Sequence, residues 1–105
     1  MLTSLDNLNS NLFQQNLHTQ FKVILPGNRP FNFELVQVME GDSYPKIEMF
    51  SLYFRGPSAP RLPQQIHRLE HDKLGTFEIF LTAISSDAEG IVYESVFHRF
   101  RKPAP

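Results

Sequence analysis

Residues 54–75 read FRGPSAPRLPQQIHRLEHDKLG, and within them His67, Glu70 and His71 have the spacing H-x-x-E-H. On a helix this spacing sets two imidazoles on one face, as on the zinc-binding helices of some metalloproteases. On a strand, His67, Leu69 and His71 point one way, and Ile66, Arg68 and Glu70 the other. Local pattern alone leans to the helix. Pro63 suits a first turn, Ile66 and Leu69 are three apart, and Gly75 could end the element. The choice separates a metal centre from a length of sheet.

The sequence on either side has a period of two. Downstream, Phe77, Ile79 and Leu81 alternate with polar residues, with Phe80 on the opposite face, and SSDAEG (85–90) reads as a turn. Tyr93, Ser95 and Phe97 continue the alternation. Upstream, Phe50, Leu52 and Phe54 share one face, with Met49, Ser51 and Tyr53 on the other. That strand is apolar on much of both faces, as a central strand is. Phe21, Val23 and Leu25 lead through PGNRP (26–30) to Phe31, Phe33 and Leu35, a hairpin pattern. GDSYP (41–45) forms the next loop, and the three prolines of GPSAPRLP (56–63) an extended one. About six strands with turn chemistry between them predict an all-β antiparallel domain, a small barrel or a two-layer sandwich. The barrel is preferred because closure removes exposed edges.

The first 16 residues differ. Leu2, Leu5, Leu8 and Leu12 recur at helical spacing among several asparagines, which predicts a short N-terminal helix or arm. The expected division is an arm over 1–16, one β domain over 17–100 and a basic, proline-bounded tail over 101–105. The chain of 105 residues has room for one core. Its ten Phe belong mostly inside. Burying one contributes about 1.5–3 kcal/mol, against net stabilities of about 5–15 kcal/mol.

Ten Lys+Arg against 11 Asp+Glu argue against a dedicated nucleic-acid binder. The absence of cysteine excludes disulfides and thiolate chemistry. No apolar run approaches the ~20 residues of a membrane span, and MLTSLDNLNSNLF has no signal-peptide pattern. A cytoplasmic or particle-associated protein is expected, with no membrane insertion.

From Met49 to His98 the chain resembles a small bacterial family of uncharacterised domains. The residues that carry the likeness are Phe50-Ser51-Leu52-x-Phe54-Arg55-Gly56-Pro57, Leu62-Pro63-Gln64, His67-x-Leu69-x-His71, Leu74-Gly75, Phe80-Leu81 and Tyr93-Glu94-x-x-Phe97. Phe13, Leu17 and Phe21 fit its opening. The resemblance implies that 64–71 is a strand, with His67 in a structural aromatic position. Gln65-Ile66 departs from the small, turn-like pair usual there. The family supplies no catalytic residues, and it implies association with phage-tail-like or surface-particle proteins.

The metal reading is incomplete in itself, because a catalytic zinc takes three protein ligands and neither His18 nor His98 sits in a recognisable motif. No P-loop, G-x-S-x-G or G-x-G-x-x-G is present. A carboxylate pair among Glu48, Glu78 and Glu94 could serve a glycosidase, but solvent-facing strand positions explain them more simply. Arg55, leaving the central strand at Gly56-Pro57, is expected to pair with Glu94 or Glu78. Arg55, Arg61 and the stripe Leu2, Leu5, Leu8 and Leu12 are the candidate contacts with a partner. The expected function is a non-enzymatic binding or assembly module without a cofactor, acting by self-association or on a protein partner. The alternatives are a small metal-dependent hydrolase using His67, Glu70 and His71, and a barrel binding a small ligand in its interior.

Overall fold

A computed structural model describes residues 2–29, 31–41 and 47–100. The loop expected over 41–45 and the basic tail after Phe100 lie largely or wholly outside the described residues. Six strands follow a short helix, α1 (Ser10–Gln15): β1 (Gln20–Val23), β2 (Asn32–Glu40), β3 (Ile47–Gly56), β4 (Gln65–His71), β5 (Gly75–Asp87) and β6 (Gly90–Phe100). They form a closed antiparallel barrel in the order β1-β2-β3-β6-β5-β4. Two three-stranded meanders, β1-β2-β3 and β4-β5-β6, meet along a long β3–β6 ladder and a short β1–β4 one. The barrel expectation holds, and 65–71 is a strand.

Alternation decides which side chains enter. Phe21 and Val23, Phe33 and Leu35, Phe50, Leu52 and Phe54, and Phe77, Ile79 and Leu81 are all buried. Eight of the ten Phe are core residues, whereas Phe80 is 49% exposed. Two bulges bend the sheet, one between Leu35 and Gln37 and one between Ala83 and Ser85. The β5–β6 hairpin is longer than its sequence suggests. Ser85, Ser86 and Asp87 pair with Val92, Ile91 and Gly90, so the turn narrows to residues 88–89. Ser85, Ser86 and Asp87 are tolerated there because their arm of the hairpin is exposed, although Gly90 and Ile91 opposite are buried.

Each end of the barrel has its own closure. At one, α1 inserts Phe13, whose ring meets those of Phe21, Phe50, Phe77 and Phe97. At the other, the loop 57–64 lays Leu62 over the core, and the Leu62 N–H donates to the buried Tyr93 hydroxyl at 2.9 Å.

The leucine stripe does not form one helix, because the asparagines divide it. Leu5–Asn7 is a 3-10 turn. Asn9 caps α1 by accepting the Leu12 N–H at 2.9 Å, and Asn16 ends it by donating its side-chain amide to the Leu12 carbonyl at 2.8 Å. The segment has a structural task in the wall. The β5–β6 ladder starts at Thr82↔Glu94, so among the six strands residues 75–81 of β5 pair with β4 alone, and residues 95–100 of β6 with β3 alone. Into this seam comes the N-terminal segment. Leu2 bridges Thr76 in parallel, the Thr3 N–H donates to the Thr76 carbonyl at 2.6 Å, and Leu8 is buried.

Candidate functional site

The strand geometry of β4 separates the H-x-x-E-H residues. His67 and His71 face inward, Glu70 faces solvent, and four residues of strand span roughly 13 Å. Among the described residues no three metal-ligating side chains gather. Both histidines are more buried than a partly exposed strand pair would be, at 5% and 8% exposure. Each has a structural partner. His67 Nε2–H donates to the Pro63 carbonyl at 2.8 Å, tying β4 to the proline-rich loop.

His71 is the more constrained. Its Nδ1 accepts the backbone N–H of Lys73 at 3.0 Å and of Leu74 at 3.2 Å, which folds the β4–β5 turn. Nδ1 is therefore unprotonated, and Nε2–H donates to Thr19 Oγ1 at 2.8 Å, while that hydroxyl donates to the Asn16 carbonyl. The ring lies 4.3 Å from the Phe21 ring, centroid to centroid. Burial holds its pKa below the ordinary histidine value, with Asp72 opposing and Lys73 reinforcing the shift. This is a neutral structural imidazole.

The carboxylates are dispersed as well. Glu78 pairs with Arg68 at 3.2 Å, Glu94 accepts the Tyr53 hydroxyl at 2.8 Å and raises that phenol's pKa, and Glu48 faces the Ser10 amide at 3.4 Å. Arg55 does not pair with Glu94 or Glu78. It reaches along the hairpin to Asp87 at 2.9 Å and Glu89 at 3.4 Å, because its outward position on β3 faces the β5–β6 turn. The Glu89 N–H and the guanidinium together hold the Asp87 carboxyl below its usual range. Arg61 is exposed on the proline-rich loop.

Of the leucines, Leu8 and Leu12 pack against the core, whereas Leu2 and Leu5 stay exposed. Leu5 borders a groove of about 280 Å³ along the seam, with Ile66, Phe80 and Val96 around it. These three are 63%, 49% and 56% exposed. They come from three strands, and Ile66 sits directly opposite Phe80 in the β4–β5 register. Reasoning from sequence did not mark Ile66 or Val96. The available signal was an apolar residue at an outward position of each neighbouring strand, visible once the register is known.

A closed six-stranded antiparallel barrel with an aromatic interior and an N-terminal plug defines a small β-barrel domain. The chain belongs to the family described as "Domain of unknown function (DUF6916)", whose model matches residues 8–97. No curated protein and no solved structure matches the chain. No helix among the described residues is long and apolar enough to cross a membrane.

Proposed function

We propose that the domain is a non-enzymatic assembly module that self-associates through the outer face of β4, β5 and β6. The observation that carries this reading is the apolar row Ile66–Phe80–Val96, continued by Leu5, beside the seam where the β5–β6 ladder has not yet begun. Clustered exposed apolar residues of this kind mark protein contacts rather than ordinary surface. Next to the row lie Arg68 and Glu78, one charge of each sign. Two copies related by a two-fold axis could set apolar row on apolar row while one copy's Arg68 meets the other's Glu78. The near-neutral chain adds little self-repulsion.

Two further features favour binding over chemistry. His67, Glu70 and His71 are spread over two faces of β4. The interior is occupied by rings in contact, from Phe13 through Phe21 and Phe54 to Phe33 and Tyr93, which leaves a small ligand little place there. A component of a phage-tail-like or other protein assembly, needing no cofactor or nucleic acid, is the setting we propose; the phage-tail part rests on the family resemblance.

Site-specific photo-crosslinking tests the face. A benzophenone side chain at Phe80 should give a covalent dimer of the purified chain, and one at the exposed Gln37 of β2 should not. Equal crosslinking at both positions, or none at Phe80, would overturn the reading.

A further inference from the structure

A second groove lies on the other flank of β4, and it differs in character from the seam. Its volume is about 480 Å³, its walls are the β1–β2 turn and the proline-rich loop, and its floor is β4. Arg29 stands on one wall, Arg61 on the other, and Arg68 beside the floor. Only Arg68 has a carboxylate partner, Glu78. Arg29 and Arg61 are exposed, and neither is within ion-pairing distance of a carboxylate among the described residues. Three guanidiniums and one carboxylate leave the groove at +2, in a chain whose net charge is −1. The overall composition does not account for this concentration of charge.

The groove is also held in shape. Leu62 N–H is fixed by the Tyr93 hydroxyl and the Pro63 carbonyl by His67, so the wall carrying Arg61 is pinned at the two residues that follow it. A preformed wall lowers the ordering cost of binding. Leu25 and the exposed Ile66 add apolar surface.

We propose that this groove binds an acidic, extended protein segment. Its carboxylates would meet the forks of Arg29 and Arg61, and an apolar side chain between them would lie on Leu25 and Ile66. Arg matches carboxylates in bidentate geometry. A compact phosphate fits less well. Pro26, Pro60 and Pro63 offer no backbone N–H, so the walls have fewer of the amide donors that cradle such an anion. A nucleic-acid strand lacks a platform, because no exposed aromatic ring lines the groove. The groove shares Ile66, Arg68 and Glu78 with the self-association face, whereas Arg29 and Arg61 belong to the groove alone, so a variant at those two arginines tests it without altering that face.

The test titrates the full chain with a peptide of alternating Glu and Val, followed by amide chemical shifts. A Gln/Val peptide and inorganic phosphate serve as the other arms. Saturable shifts at residues 24–29 and 60–68 are expected with the Glu/Val peptide. They should weaken at least tenfold in an Arg29→Ala/Arg61→Ala variant and fall with added salt, and the Gln/Val peptide should produce none. Both arginines are exposed, so the variant should keep the wild-type spectrum elsewhere. Absence of saturation at millimolar Glu/Val peptide, or equal binding by the variant, would overturn the proposal. Phosphate shifting the same amides at the same concentration would reduce the groove to a simple anion site and overturn it too.

Discussion

The ring of Phe13, on a helix of six residues, lies 5.6 Å from the ring of Phe97 and 6.0 Å from that of Phe77, centroid to centroid. Those two partners belong to β6 and β5, the strands whose ladder is missing at this level. Phe13 thus substitutes side-chain packing for backbone pairing across the seam. Removing a fully buried phenylalanine costs about 3–5 kcal/mol. Phe13→Ala should lower the urea midpoint by a corresponding amount. A loss below about 1 kcal/mol would mean that the N-terminal segment lies outside the cooperative fold.

His71 predicts how stability depends on pH. Its folded pKa is depressed, so the unfolded chain takes up the proton first as pH falls. Its contribution is intact above the ordinary value of 6.5 and is lost progressively below it, until the folded form also protonates. Protonating Nδ1 would break its two bonds to the β4–β5 turn. Denaturation midpoints at pH 7.5 and 5.5 should differ more in the wild type than in His71→Gln. An equal difference in both would assign the acid sensitivity to other groups.

Tyr93→Phe removes one oxygen and leaves the buried Leu62 N–H without its acceptor. The cost of such an orphan is about 1–3 kcal/mol. The Leu62 amide should exchange faster in the variant. Unchanged protection would show that the loop is held by other contacts.

Gly56 ends β3 where no side chain fits. A Cβ there would lie 2.7 Å from the Phe33 ring and 3.2 Å from that of Phe31. Gly56→Ala should destabilise by about 1–3 kcal/mol through overpacking. A Phe33→Leu change in the same chain should recover part of that loss, and an additive result would separate the two sites.

Much of this fold was legible in the residues. The period-two runs around Phe50, Phe77 and Tyr93 specified strands and their inward faces, and Gly56-Pro57 specified a tight exit. Residues 65–71 were ambiguous locally, since HRLEH satisfies either period, and pairing with both β1 and β5 settles them as sheet. Pairing is a long-range property that no short window contains. The same limit hid the seam. Ile66, Phe80 and Val96 are far apart in sequence and become one surface only in the register of three strands. The leucine stripe pointed to the short N-terminal helix but not to its bounds, because Asn9 and Asn16 bond to backbone and set where it starts and ends.

Self-association through the β4–β5–β6 face is tested most directly by solution mass from light scattering after size exclusion, over a wide concentration range. The expected result is a mass that rises above the 12.2 kDa monomer with concentration in the wild type and stays monomeric in Phe80→Glu/Val96→Glu. A wild-type chain that remains monomeric throughout, or an oligomer unchanged by the double substitution, would contradict it.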